Sequence, residues 1–338
     1  MEREVVPVEL AVGRAIAHDL TLIDPESGFK GAKFRRGHTI RPEDVPVLQR
    51  MGKSNISFLR MAPGEVHEDD AALRIGRRVA GEGVALRGPE EGKCSLVAER
   101  DGLLVYRDED IDFVNDDPDW LFTTLPNKVR VGRGKTVAAF RIGPLMVREE
   151  QVVRVEGIGP LSVLPWRRLK TALVTTGREL YEGIVKDAFQ PKLMKKLAGY
   201  GGEFLGGRVV PDDRSAIQEA ISGWLDEGAE LVLCTGGMSV DADDMTPSAI
   251  RAVCDSVLFR RTPVIPGANL MLAAKDGAFV LGVPASAVFI ERTSLDILLD
   301  RLFAGVPPDG KEVRGWGRGG LCAHCDSCGY PRCAFAAR

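Results

Sequence analysis

The stretch LVLCTGGMSVDADDMTPSA, residues 231–249, decides how this chain is read. An apolar run, Leu231-Val232-Leu233-Cys234, stops at Thr235-Gly236-Gly237. Three acids follow, Asp241, Asp243 and Asp244, and then Thr246-Pro247 opens a helical pattern. Glycines let a backbone turn sharply and bring its N–H groups close to an anion. A helix start adds free N–H groups and a partial positive charge. Carboxylates beside such a phosphate cradle need a hard cation such as Mg²⁺ between them, or a proton to accept. The stretch therefore suggests a phosphorylated ligand with a divalent ion. An ordinary strand-to-helix turn, with a capping acid before Pro247, stands beside that reading.

The flanking pattern supplies the architecture. From Thr171 onward, TALVTT reads as a strand, residues 187–202 as a helix ending in glycines, and EFLGGRVVPDD as a route to a second strand. Residues 213–228 carry apolar positions at helical spacing with a glycine stop, and ELVLC is a third strand. Regular alternation to about Phe303 predicts an α/β fold, a three-layer α/β/α domain with a mainly parallel sheet. Ligands of such sheets bind beyond the carboxyl ends of the strands, where the opening stretch lies.

The first half reads differently. Residues 1–92 are mixed α+β, with a helix expected in GHTIRPEDVPVLQRMG (37–52). Residues 93–165 read as a β-rich subdomain, with SLVAE, GLLVY, KTVAAF and QVVRVEG as short strands. VGRGKT (131–136) ends like a phosphate-binding Walker loop, but Val129 stands where that motif needs its first glycine, and a hairpin is expected instead. EVHEDDAALR (65–74) reads as a solvated helix face, and His18, His38 and His67 as surface or packing residues.

Five landmarks then fall in register: TTGREL (175–180), VVPDD (209–213), TGGMSV (235–240) with Asp244, PGAN (266–269) and GVPASA (282–287). Together they resemble the molybdopterin-binding domain of molybdenum-cofactor biosynthesis over about residues 168–303. DDMTPSA is similar to the adenylyltransferase branch of that superfamily, and TTGREL to the molybdenumtransferase branch. The resemblance implies that Thr235, Gly236, Gly237, Met238 and Ser239 hold the terminal phosphate of molybdopterin. It implies that Thr176, Gly177, Glu179, Pro266 and Gly267 line the same crevice. Asp244 is the implied catalytic acid, and Asp241 with Asp244 the implied Mg²⁺ ligands. The chain departs from the family pattern where Lys-Pro-Gly-Lys-Pro becomes Ile265-Pro266-Gly267-Ala268-Asn269 and Pro-Gly-Asn-Pro becomes Pro284-Ala285-Ser286-Ala287. Arg178 stands where an acid is common. Lost lysines are lost partners for molybdate or phosphate, so binding is expected to outlast catalysis.

Of seven cysteines, four crowd the last stretch as C-x2-C-x2-C-x4-C: Cys322, Cys325, Cys328 and Cys333. Such thiolates suit Zn²⁺ or an iron–sulfur cluster. Glycines 315, 317, 319 and 320 before them suggest a separate appendage over 315–338, with the α/β domain at 168–306.

The expectation is a binder of molybdopterin or molybdenum cofactor that delivers it to a client molybdoenzyme or another cofactor-biosynthesis protein. The alternatives are a molybdenumtransferase inserting molybdate or tungstate with Mg²⁺, and, less favoured, a redox-linked iron–sulfur protein. A net charge of −3 over 338 residues gives no reason to expect nucleic-acid binding. The lack of an apolar run near 18 residues argues against a membrane span. Without a signal-peptide core in MEREVVPVEL, the cytoplasm is the expected compartment. Self-association is expected by analogy with the superfamily.

Overall fold

The computed structural model describes residues 2–16, 18–24, 28–238, 245–331, 333 and 335. The expected ligands Ser239, Asp241 and Asp244 lie outside the described residues, as does Asp243. Two compact units emerge, and they are not consecutive halves of the chain. The first comprises residues 1–99, 106–125 and 134–162; the second comprises 100–105, 126–133 and 163–338.

The second unit holds a six-stranded sheet built from β1 (Lys170–Thr176), β2 (Glu203–Val210), β3 (Leu231–Thr235), β4 (Ser256–Arg260), β5 (Met271–Lys275) and β6 (Ala278–Val283), in the order β2-β1-β3-β6-β5-β4. The first four strands in that order are parallel, and β5 and β4 extend the sheet antiparallel. Alternate side chains leave the sheet on opposite faces, as a pleated strand requires. Leu173, Leu231, Leu233 and Leu281 join one core with Leu193 and Leu197 of helix Phe189–Ala198 and Leu295, Leu298 and Leu302 of helix Ser294–Phe303. Ala172, Val174, Val232, Cys234 and Val280 join another, with Ile217 and Ile221 of helix Arg214–Asp226 and Ala249 and Ile250 of helix Thr246–Val253. This is the expected three-layer α/β/α arrangement. Strands buried on both faces explain why LVLC is continuously apolar.

The same unit encloses a charged network. Asp300 is 3% exposed. Its Oδ1 accepts from Arg130 Nε at 2.8 Å and from the Tyr200 hydroxyl at 2.7 Å, while Oδ2 accepts from the Tyr330 hydroxyl at 2.8 Å. The Arg130 guanidinium also lies over the rings of Tyr200 and Trp166. Burial pushes the Asp300 carboxyl above its ordinary range despite these partners. Tyr330 and Phe335 thereby tie the C-terminal segment to the core, and Trp316 and Phe335 are core members at 5% exposure each. The expected separate appendage is corrected here: glycines around Trp316 permit close packing against Pro263 rather than a loose tether.

The first unit contains a four-stranded antiparallel sheet of Val84–Glu90, Lys93–Ala98, Thr136–Ile142 and Trp120–Thr124. Ala71, Ala72, Ile75 and Val79 bury one side of helix Glu68–Val79. A smaller core gathers Val8, Ile16, Ile40, Leu48 and Ile56 near the N-terminus. Three expectations are corrected. Residues 151–156 of the expected strand belong to a helix, Glu149–Glu156, because two acids open its first turn and Val152 and Val155 are buried one turn apart. Residues 65–74 are not a solvated face, since His67 and Glu68 are 1% and 5% exposed. VGRGKT is not a hairpin: Arg130–Val131 pairs with Gly102–Val105, whereas Thr136–Ile142 pairs with two other strands.

Candidate functional site

The strand order reverses between β1 and β3, since β1 leads outward to β2 on one side while β3 continues to β6 on the other. Such a switch point opens a crevice beyond the carboxyl ends of the two strands. Thr176 ends β1, Thr235 ends β3, and Gly236-Gly237 leaves directly from that crevice.

Both glycines have positive φ, +89° at Gly236 and +51° at Gly237. A Cβ on Gly236 would lie 2.3 Å from the Thr176 carbonyl oxygen and 2.4 Å from Thr176 Oγ1. The two strand ends are therefore in contact with no room for a side chain. From the far side, Thr246 Oγ1 donates to the Gly236 carbonyl at 2.8 Å, fixing the loop to the helix Thr246–Val253. A cavity of about 390 Å³ opens over this loop. Gly236, Gly237, Ala268, Asn269, Pro284 and Ser286 are among its walls. The hydroxyls of Thr176, Thr235 and Ser286 are buried with no hydrogen-bond partner among the described residues. An orphaned buried hydroxyl carries a desolvation cost until something pairs with it, and three of them surround this loop.

The expected site residues divide. Thr235, Gly236, Gly237 and Thr176 come together at the switch point. Met238 contributes to the cavity wall, but its side chain joins the core, with its sulfur 2.6 Å from where a Cβ on Gly282 would lie. Gly177 begins the turn Arg178–Tyr181, in which Glu179 is exposed. Pro266 and Gly267 sit against the start of helix Ser294–Phe303: the Ser294 amide donates to the Pro266 carbonyl at 3.1 Å, and Ser294 Oγ to the Gly267 carbonyl at 2.6 Å. Their neighbours Ala268 and Asn269 line the cavity instead.

Sequence reading missed Asp212. Its Oδ2 accepts from the Arg178 amide at 3.3 Å, and its Oδ1 lies 3.7 Å from the place a Gly237 Cβ would take. The signal was the VVPDD landmark, in which the first aspartate stands two residues past the end of the strand next to β1. Arg178 itself pairs outward with Glu182 at 2.7 Å and is exposed. Asp212 is the described carboxylate best placed to hold a cation beside the loop.

The tail cysteines carry no disulfide; Cys325 and Cys328 are exposed, and Cys322 and Cys333 half-buried. All four line one cavity of about 440 Å³. Among the described residues, no three His, Cys, Asp or Glu side chains are gathered as a ligand set for a metal ion. Among the described residues, no helix is long and apolar enough to cross a membrane.

Residues 172–304 match a family described as "Probable molybdopterin binding domain", and residues 5–60 match a "Domain of unknown function (DUF8806)". A molybdopterin molybdenumtransferase of Synechococcus elongatus is 28% identical over 142 residues, 39% of this chain and 35% of that protein. A CinA-like protein of Petrotoga mobilis is 33% identical over 87 residues, 26% of this chain and 21% of that one. The chain thus spans about a third or less of the length of these relatives. Among solved structures, the molybdopterin biosynthesis enzyme MoaB of Thermus thermophilus is 23% identical with a TM-score of 0.35, covering 41% of this chain and 98% of that one. The tungsten cofactor synthesizing protein MoaB of Pyrococcus furiosus is 21% identical with a TM-score of 0.35, covering 44% and 98%. By the family match and the landmarks in register, residues 172–304 are similar to the molybdopterin-binding domains of molybdenum-cofactor biosynthesis proteins.

Proposed function

We propose that the chain binds molybdopterin, or the molybdenum cofactor built on it, by the terminal phosphate. It then delivers that molecule to a client molybdoenzyme or another cofactor-biosynthesis protein. The observation that carries this reading is the Gly236-Gly237 loop at the switch point, where Gly236 leaves no room for a Cβ and three buried hydroxyls have no partner among the described residues. Phosphate oxygens would accept from backbone N–H groups and from hydroxyls, the donor set this loop offers. The neutral wall of Ala268, Asn269, Pro284 and Ser286 favours holding over chemistry. An inserting enzyme would need cations there to draw molybdate in and to offset charge during transfer.

A second reading, molybdopterin molybdenumtransferase activity with molybdate or tungstate, is favoured by the acids. Asp212 beside Gly237, with Asp241 and Asp244 further along the chain, would supply oxygen ligands to Mg²⁺. When bound, the ion would neutralise phosphate and oxyanion charge. Asp244 keeps its proposed catalytic role only in this reading.

Fluorescence titration with molybdopterin tests the first reading, using the wild type and Gly237→Ala. The expected result is wild-type binding, weakened at least about tenfold in the variant, the equivalent of about 1.4 kcal/mol. Absence of wild-type binding defeats both readings. Rapid molybdate-dependent turnover by the natural sequence replaces the first with the second. The four cysteines are proposed as ligands of Zn²⁺ or of an iron–sulfur cluster, and the choice between these is argued next.

A further inference from the structure

The cysteine segment and the loop at the switch point share their supporting walls. Cys322, Cys325, Cys328 and Cys333 line their cavity together with residues 289–292. Those residues begin at the last residue of the one-turn helix Ser286–Phe289, and Pro284, Ala285 and Ser286 at the start of that helix line the molybdopterin cavity. A second wall is shared through Ile265. Its amide donates to the Gly320 carbonyl at 2.8 Å, and its carbonyl accepts from the Cys322 amide at 2.9 Å, a short parallel bridge. Ala268 and Asn269, three and four residues on, line the molybdopterin cavity.

The segment is anchored at both ends and unsupported between them. Cys322 is held by Ile265, and Tyr330 is held by Asp300. Ala323 to Gly329 are exposed, so neither core nor strand pairing orders the stretch that carries Cys325 and Cys328. A stretch that cannot bury apolar surface is where a metal contributes most to order.

The spacing selects the ion. Cys322 and Cys325 form one C-x2-C arm, and Cys328 and Cys333 form a C-x4-C arm. Two short arms with two thiolates each are the pattern of structural zinc sites. A ferredoxin run shares the first two gaps but closes with a three-residue gap and a proline after the final cysteine; here the last gap is four residues and Pro331 precedes Cys333. A tetrahedral site with bonds near 2.3 Å brings the four sulfurs to about 3.8 Å from one another. The thiols are not gathered as a ligand set among the described residues, so binding would draw the exposed Cys325 and Cys328 inward toward Cys322 and Cys333.

We propose that Cys322, Cys325, Cys328 and Cys333 bind one Zn²⁺ as a tetrathiolate, and that the ion braces residues 265–269 and 284–292 behind the molybdopterin cavity. Four Zn–S bonds form as four thiols release their protons to solvent. The zinc half stands apart from the pterin reading; the bracing half rests on it only in the meaning of those walls.

The test uses the full chain, purified anaerobically, stripped with a chelator and titrated with Zn²⁺ against a chromophoric zinc competitor. The expected result is one Zn²⁺ per chain, with the spectrum of a four-thiolate site when Co²⁺ replaces it. Cys325→Ser and Cys328→Ser should each weaken binding on the order of a hundredfold or more. Cys325→His should restore most of it, since imidazole also ligates zinc, and Cys254→Ser should change nothing. Hydrogen exchange without any pterin should slow on Zn²⁺ addition at amides of 265–270 and 284–292, and not at 95–98. Sub-stoichiometric zinc, or iron with acid-labile sulfide in the purified protein, overturns the zinc site. Full zinc occupancy with unchanged exchange in both segments overturns the bracing. Because exchange is read without pterin, failure of molybdopterin binding in the earlier titration is a separate result.

Discussion

Tyr330→Phe separates a docked C-terminus from a free one with the loss of a single oxygen. The Tyr330 hydroxyl donates to Asp300 Oδ2 at 2.8 Å, and the two other donors to this carboxylate, Arg130 and Tyr200, both reach Oδ1. Removing the hydroxyl leaves Oδ2 of a 3%-exposed carboxylate without a donor, while the ring can still pack beside Phe335. A hydrogen bond to a charged group contributes about 1.5–3 kcal/mol, so chemical denaturation at pH 7 should show a stability loss in that range with an unchanged slope. The deficit should shrink as pH falls. Asp300 titrates above the ordinary carboxylate range because it is buried, and losing a donor to its charged form raises it further. The variant's penalty is therefore full above the folded pKa and fades as the carboxyl is protonated. Deleting residues 315–338 is harsher. Trp316 and Phe335 are buried aromatics worth about 1.5–3 kcal/mol each. With the hydrogen bond, their loss approaches the whole stability of an ordinary domain, about 5–15 kcal/mol. A Tyr330→Phe change below about 0.5 kcal/mol, or a truncated chain that melts like the full one, would refute the docking.

Other consequences are as direct. Gly236→Ala should destabilise the fold by several kcal/mol through its 2.3 Å approach to the Thr176 carbonyl, whereas Gly237→Ala, 3.2 Å from Thr246 Oγ1, should cost about 1–2 kcal/mol from its positive φ alone; paired thermal melts give the ranking, and equal losses would contradict it. Burial pushes the Glu68 carboxyl up to about 7. Its neutral form therefore stabilises the fold fully below about pH 4.3, and that contribution is lost as pH rises to about 7. Relative to Glu68→Gln, the wild type should lose on the order of 2–3 kcal/mol across this window, read by denaturation at a series of pH values. Thiol labelling of metal-free protein should reach Cys325 and Cys328 quickly. Cys94, whose thiol burial pushes up to about 11, and fully buried Cys234 should label only on unfolding, as peptide mapping of the modified chain would report.

The α/β half was legible because its signals are local. LVLC and TALVTT are apolar along their whole length, as strands covered on both faces must be, and glycines close each helix between them. The Gly-Gly loop was legible because few residue types tolerate that turn. Asp212 escaped because its importance comes from the pairing of β1 with β2, which places Val210 across from Thr176 at the crevice. The helix at residues 149–156 escaped because its three valines and arginine mimic a strand; only the burial of Val152 and Val155 reveals the helical face. The docked tail escaped for a different reason. Glycine-rich sequence signals freedom until something fills the space beside it, and here Trp316 does so.

The Arg130–Asp300 pair also imposes a timetable on synthesis. The partners are 170 residues apart. At about 5–20 residues per second, a ribosome completes Asp300 roughly ten to thirty seconds after Arg130. Throughout that interval the guanidinium, always charged, lacks its carboxylate, and the ring of Tyr200 reaches it only after 70 further residues have been made. Folding of the second unit therefore cannot finish in the order in which its pieces emerge. The charge on Arg130, among its earliest residues, is matched only when Asp300, near the end of the sheet's covering helix, has been made.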